Sequence, residues 1–360
     1  MDFVQADTKT NNLFFLLRYA FGATCPILCV FLILSCSSEV STEKDSSVYV
    51  IDLEKFNIPD SDNYKNRTIA MATTRGINKA LNYAKENGYT VVRFPARQYA
   101  IISEWQEWGW TVVPKHDLKG IVVPSDIILD LGDAVFRLLP NNQVTYSLFF
   151  IYEVKNVTIN GGHLIGDRYE HDYTMLETLG SETHEWGFGF NIACSGNITI
   201  NNSRVEQMSG DAIIINNYGD PKTNTPNDGI SITQCELFDC RRQGISLIAG
   251  NNSELCFNHI YNITNGTAPM CGIDIEVEEK FGCVGNYTRI HHNLIENVEG
   301  GSIVCHTGNH IDIFENTVYQ WITTINSRQV KIYRNTLYNS RVKIGNPDDV
   351  EEYDNIIIYE

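Results

Sequence analysis

A parallel β-helix is the fold that this 360-residue sequence predicts. The first observation is a short pattern recurring between Val157 and Leu337: an Ile or Leu, three positions on a small or amide residue, two further on another aliphatic. It occurs at Ile159/Gly162/Leu164, Ile200/Ser203/Val205, Ile232/Cys235/Leu237, Leu255/Asn258/Ile260, Ile290/Asn293/Ile295, Ile313/Asn316/Val318 and Ile332/Asn335/Leu337. The second is its spacing: the anchors are 41, 32, 23, 35, 23 and 19 residues apart, so a unit of about 20 residues carries insertions in its longer copies. The third is composition, rich in β-branched residues and Asn and without helical periodicity. An amide at one turn of every coil would stack on the next and satisfy backbone groups there, and Asn tolerates the left-handed conformation that a sharp corner needs.

At this length a large core is available, and 43% hydrophobic with 20% charged residues is ordinary for a globular chain. A net charge of −17 argues against nucleic acid, whose phosphates require a basic stripe. A polyanionic ligand would need a bridging cation.

Near the start, Tyr19 to Ser35 is apolar, follows Lys9 and Arg18, and ends in Ile33-Leu34-Ser35-Cys36. The stretch is too short for a membrane span, and its last four residues resemble a bacterial lipobox. On this reading residues 1–35 are a lipoprotein signal peptide and Cys36 carries the lipid. Residues 36–48 are then a polar tether, and 49–360 form a domain held at the cell envelope, at the outer membrane or on its periplasmic or surface face. Of ten cysteines, seven then remain. An odd number without a CxxC pair is neither a disulfide framework nor zinc-ligand spacing. Cys235 takes a ladder slot and Cys305 an inward strand slot, so both read as buried; Cys271 and Cys283 flank one insertion and form a candidate bridge.

A helix is expected next, with Thr73 and Thr74 as N-cap candidates, Ile77, Leu81 and Ala84 as its apolar stripe, and Asn87-Gly88 as its stop. Ahead of the first coil it would cover the open end of the stack.

The strand that follows, TVVRFPARQYAI, carries a family resemblance. Val92, Phe94, Pro95, Tyr99 and Ile101 after a short amphipathic helix resemble the opening of the pectate-lyase-like superfamily of right-handed β-helices, which includes polysaccharide lyases, polygalacturonases and phage tailspike depolymerases. Arg97 stands where that family usually has Gly. Leu129, Gly132 and Pro140-Asn141 match its second coil. The resemblance spans about residues 49 to 345 and implies an all-β fold, a single-stranded right-handed parallel β-helix with an N-terminal capping helix, occurring as a monomer or a trimer. It fixes fold better than chemistry.

Chemistry is expected on the outer face. Five strand triplets align, Phe190-Asn191-Ile192, Ile213-Ile214-Ile215, Ile245-Ser246-Leu247, Ile273-Asp274-Ile275 and Ile303-Val304-Cys305, and the middle residue of each faces out. So do the residues two further on, Ala193, Asn216, Ile248, Glu276 and His306. Asp274 and Glu276 then share one face with Cα atoms roughly 6.6 Å apart, and His306 lies one coil below Glu276 at a coil spacing of about 4.8 Å. Paired carboxyls about 5 to 9.5 Å apart suit glycosidic cleavage, one as acid and one as nucleophile or base. A lyase needs a base near a uronate and a cation or Arg for the resulting anion. The plain alternative is two solvated acids on an acidic protein.

The turns before these strands place His184, Glu185, Trp186, Asp211, Arg242 and Gln243 in one column: an aromatic platform, carboxylates and a guanidinium, as sugar binding requires. Asp211 also reads as an Asx corner, Arg242 as a clamp onto Asp211 or Glu206, and Trp186 as cover for the coil interior. Arg241 has a weaker claim, and Asp167, Arg168, Glu170 and His171 are candidate cleft walls. EWGxGF, GDAI and RRQGIS together resemble uncharacterised bacterial β-helix proteins. By resemblance Asp211 matches one catalytic Asp of polygalacturonases, but the second of their pair is Ala212 here and no Arg-x-Lys follows. Insertions near 167–187, 217–228 and 276–286 are expected along one side of a groove.

These readings favour a protein that binds an extended polysaccharide and hydrolyses it through carboxylates drawn from Asp211, Asp274 and Glu276. Arg242 joins them as a catalytic candidate; His184, Glu185, Trp186, Gln243, Asn216 and His306 are substrate-binding candidates. The alternatives are a lyase acting on a uronate-containing glycan with an oxygen-ligated calcium ion, and a non-catalytic glycan-binding or structural protein.

Overall fold

A computed structural model of the chain describes residues 47–105, 117–174, 183–218, 225–277 and 285–359. The lipobox, Cys36 and Cys283 lie outside these residues. The strands form two parallel sheets, one of twenty strands and one of nine, that wind around a single apolar core. The nine-stranded sheet runs through Ile121–Val122, Thr145–Tyr152, Trp186–Ala193, Asp211–Asn216, Gln243–Leu247, Ile273–Glu276, Ile303–Thr307, Ile322–Thr324 and Val342–Ile344.

The sequence repeat is the register of the stack. Leu129, Ile159, Ile200, Ile232, Leu255, Ile290, Ile313 and Ile332 pair in one inward row. Leu164, Val205, Leu237, Ile260, Ile295, Val318 and Leu337 form a second, and Phe190, Ile213, Ile245, Ile273, Ile303 and Ile322 a third. All are buried, so each coil adds three aliphatic or aromatic side chains to the core, each stabilising by about 1.5–3 kcal/mol against exposure. Where the coil turns into the nine-stranded sheet the inward column is small: a Cβ on Gly244 or Gly272 would lie 2.5 Å from Ile260 or Ile295 across the core.

The amide column is continuous. Asn258, Asn293, Asn316, Asn335 and Asn355 each accept at Oδ1, 3.0 Å from the backbone N–H of the ladder residue one coil earlier. Their Nδ2 groups donate to carbonyls of earlier coils, at Ile232, Leu255, Ile290, Ile313 and Ile332. Asn355 extends the column past the last sequence match. The corner conformation, however, belongs to the preceding residue: Gln234, Phe257, His292, Glu315, Arg334 and Asp354 have φ of 53 to 56°. The Asn is the brace of the corner, because its side chain must point inward along the stack to reach the neighbouring coil.

The helix Arg67–Glu86 caps the first coils, with Ile77, Leu81 and Ala84 buried and Asn87 as C-cap before Gly88 at φ 76°. Its N-cap is Asn66, whose Oδ1 accepts from Thr68 N at 3.0 Å and Ile69 N at 3.2 Å. Thr73 and Thr74 are instead buried mid-helix, where Thr74 Oγ1 accepts the Ile102 N–H at 3.0 Å and Thr73 meets Ser61. Cys271 is a buried free thiol, as are Cys235 and Cys305.

Asn293→Ala removes two acceptor contacts and two donor contacts from a site closed to water. It is expected to lower the unfolding free energy by about 3 kcal/mol, with an unchanged denaturant slope in urea titration. A loss below about 0.5 kcal/mol would show that the column does not brace the coils.

Candidate functional site

A cleft of about 220 Å³ opens on the outer face of the nine-stranded sheet. Its floor is apolar: Phe188, Ile214 and Ile248 cluster outside the coil, with Trp186 packed against them. Thr145, Asn216 and Tyr218 supply polar edges, and Glu185, Arg242 and Glu276 the charge. The apolar floor was visible in the outward slots of Ile214 and Ile248; Phe188, Thr145 and Tyr218 carried no signal beyond residue type.

Arg242 is the centre of the site. Its Nη1 donates to Asp211 Oδ2 at 3.1 Å and Oδ1 at 3.3 Å, its Nε lies 3.9 Å from Glu185, and its Nη2 lies 4.0 Å from Glu276. Three carboxyls thus face three different nitrogens of one guanidinium that is only 13% exposed. The clamp partner is Asp211; Glu206 pairs elsewhere, with His163.

Strand pairing sets Asp211 beside Gln243, and Ser246 beside Asp274. Asp211 is fully buried beneath Arg242, and burial pushes its carboxyl up to about 6 against the pull of Arg242 and Ser246. Asp274 is 1% exposed and is also pushed up to about 6, by burial first and then by the Glu276 charge. The strand alternation holds, yet its two acids differ: Glu276 is 40% exposed in the cleft, whereas Asp274 lies under its floor. The register slips between Ile275 and Glu276, which pairs with Thr307, so His306 meets Asp274 at 3.9 Å rather than sitting below Glu276.

A hydrogen-bonded chain joins the two buried carboxyls. Ser246 Oγ lies 2.7 Å from Asp211 Oδ2 and contacts Gln243 Oε1, while Gln243 Nε2 donates to Asp274 Oδ2 at 2.6 Å. The hydroxyl has one hydrogen for two acceptor oxygens. Both contacts become hydrogen bonds when Asp211 is protonated, or when the Gln243 amide turns over and a protonated Asp274 donates to it. The second arrangement keeps Asp211 ionised against Arg242. Gln243 is therefore a buried connector and does not reach the cleft.

His184 also leaves the proposed column. With φ of 48° it turns into the protein, where Asp167 Oδ2 and His171 Nδ1 lie 2.8 Å apart and His171 Nε2 and His184 Nδ1 another 2.8 Å. Burial and the neighbouring His171 hold its imidazole down at about 4, hence neutral. This network fixes the turn that presents Glu185 and Trp186. Arg168 is likewise no cleft wall: it bridges turns by pairing with Asp239 and donating to the carbonyls of Cys240, Thr264 and Asn265. Glu170 pairs with Lys65, and Arg241 stacks over Tyr173 and donates to the Thr183 carbonyl. Residues 175–182, 219–224 and 278–284 of the three insertions lie outside the described residues; the first insertion leads into the strand Trp186–Ala193, and the other two leave strands that end at Asn216 and Glu276.

Because the Asp274 carboxyl is raised, its protonated form favours folding: that advantage is complete below about pH 4 and disappears as pH rises through about 6. Asp274→Asn lacks this ionisation. Its stability relative to the natural protein is expected to rise by up to about 3 kcal/mol between pH 4 and pH 7.5 in parallel unfolding curves. A difference independent of pH would mean that Asp274 titrates as an ordinary carboxylate.

No model of a known protein family matches the chain. The SPbeta prophage-derived uncharacterized protein YorA of Bacillus subtilis strain 168 is 32% identical over 284 residues, 74% of this chain and 46% of YorA. The uncharacterized protein YclG of the same organism is 34% identical over 210 residues, 57% of this chain and 35% of YclG. The chain thus spans less than half the length of these curated relatives. Among solved structures, the mannuronan C-5 epimerase AlgE6 A-module of Azotobacter vinelandii superposes with a TM-score of 0.55 at 15% identity, covering 85% of this chain and 76% of its own. The tailspike protein of E. coli bacteriophage HK620, in complex with a pentasaccharide, gives 0.53 at 12% identity, covering 79% and 52%. These likenesses are of fold.

Proposed function

From the right-handed parallel β-helix fold that this chain shares with the pectate-lyase-like superfamily, we propose a carbohydrate-active protein that binds an extended polysaccharide across the nine-stranded sheet and hydrolyses a glycosidic bond there. The observation that carries the proposal is the cleft itself: an apolar floor with Trp186 beside Glu185 and Glu276, the two solvent-facing carboxylates flanking Arg242. A sugar ring face packs on the apolar floor while its hydroxyls meet Asn216, Tyr218 and the carboxylates.

In this reading Glu276 reacts at the glycosidic bond, with Glu185 across the guanidinium as its partner. Arg242 lies between the two, and burial favours the neutral forms of Asp211 and Asp274 beneath it. The lyase reading is disfavoured by charge: three carboxyls around one guanidinium leave no unpaired positive charge for a uronate, and calcium would have to supply it. Neutral glycans are therefore the expected substrates.

The test incubates the protein with neutral and uronate-containing polysaccharides, with and without calcium, following reducing ends and ultraviolet absorbance together. Reducing ends without absorbance support hydrolysis; calcium-dependent absorbance moves the assignment to a lyase; retention without products leaves a binding protein. On an active substrate, Glu276→Gln is expected to lower kcat about 10²- to 10⁴-fold with little change in the folding transition. An unchanged kcat would remove Glu276 from the chemistry.

We also propose that Cys36 is lipidated and anchors the protein to the envelope, as its lipobox-like setting suggests. Labelled palmitate fed to the producing cells should enter the natural chain and not Cys36→Ser; equal labelling of both would exclude this anchor.

A further inference from the structure

On the outer face of the twenty-stranded sheet, away from the cleft, strand pairing brings together three residues that no sequence spacing linked. Glu254 and Cys256 alternate to one face of one strand, and His291 lies directly opposite Cys256 on the next coil. Their ligating atoms all lie within 4.8 Å of one another, close to the roughly 3.3–3.8 Å between donors of a tetrahedral site with bonds of about 2.0–2.3 Å. Cys256 and His291 are buried, and the Phe314 ring stacks on His291 with centroids 4.7 Å apart, so the imidazole is held in place.

The hydrogen bonding around His291 is compatible with a bound cation. Glu254 Oε1 lies 3.0 Å from His291 Nε2, His291 Nδ1 lies 2.9 Å from His292 Nδ1, and His292 Nε2 lies 3.0 Å from Glu315 Oε2. With a cation at His291 Nε2, Nδ1–H donates to His292 and Nε2–H of His292 donates to Glu315. A metal-bound histidine uses its second nitrogen in this way.

We propose that Glu254, Cys256 and His291 bind a borderline-soft divalent cation of the zinc type, with one coordination position open and His292 with Glu315 orienting His291. Sulfur, nitrogen and carboxylate donors together select zinc over calcium or magnesium. Thiolate and carboxylate are both anionic, so they neutralise the ion once the Arg289 guanidinium, 2.8 Å from Glu254 Oε1, yields that oxygen to it. It also ties two adjacent coils across the sheet.

The test titrates the reduced, chelator-treated full chain with cobalt(II) and then displaces it with zinc. The expected result is a thiolate-to-cobalt charge-transfer band saturating near one equivalent, and a zinc-dependent rise in Tm. Cys256→Ser should abolish the band and His291→Ala should abolish binding at cobalt concentrations near the protein's own. His292→Ala should keep the band while weakening zinc affinity about 10- to 100-fold. Circular dichroism on each variant separates a lost site from a lost fold, and His292→Ala alters no ligand. Absence of the band, or a band surviving in folded Cys256→Ser, would overturn the proposal.

Discussion

Every coil of this protein must reverse direction at a residue with left-handed backbone, and at most of these corners the residue is not glycine. Phe257, His292, Glu315 and Arg334 hold φ near 55°, a conformation that costs an ordinary side chain about 1–2 kcal/mol. The Asn that follows each one offsets this cost by bonding backbone groups of the preceding coil and the amide of the next Asn, at about 1 kcal/mol net for each hydrogen bond. The corner residue is then free in identity, because only the brace behind it is required. Its side chain points outward, and the corner column Phe257, His292, Glu315, Arg334 stacks or pairs from one coil to the next.

The same register orders the rest of the outer surface of the large sheet. Glu254, Arg289, Asp312, Lys331 and Glu351 pair in a row whose charges alternate. Beside it run Cys256, His291, Phe314, Tyr333 and Tyr353, where the ring stacking of the last four gives way to the thiol. Away from Glu254, Cys256 and His291, rows of this kind satisfy a surface without a ligand. The nine-stranded sheet is different: its outward rows mix Phe188 and Ile214 with Asp211, Ser246 and Asp274, and neither apolar nor polar members repeat. A row that does not repeat cannot be explained by stacking alone.

The inward rows were legible from sequence because a core position tolerates only a narrow class of residues, so seven anchors repeat visibly and all seven stack. The outer face was legible only as far as strand alternation reaches. Asp274 and Glu276 were placed correctly on one face, but the slip between Ile275 and Glu276 moved His306 to Asp274, and no residue type marks such a slip. His184 leads into the strand Trp186–Ala193 in sequence and leaves its column in space, because its left-handed backbone turns the side chain into the protein. Thr73 and Thr74 resembled a helix start because they are polar, yet they face the buried side, where Ser61 and the Ile102 N–H satisfy them. Asn66 meets the same preference seven residues earlier.

Burial decides which of the clustered acids contacts a ligand. Asp211 and Asp274 lie within the hydrogen-bonded chain through Ser246 and Gln243, and a carboxyl so enclosed is held nearer neutrality than an exposed one. If both were ionised, four negative charges would surround Arg242, with Glu185 and Glu276 at the rim. Desolvation penalises charge most at the buried pair, which therefore takes up a proton first as pH falls towards 6. The rim carboxylates are open to the cleft, on either side of a guanidinium that cannot give up its proton. The buried pair thus tunes the field in which the exposed pair works, a division of roles that follows from one sheet whose outward rows are covered at one column and open at the next.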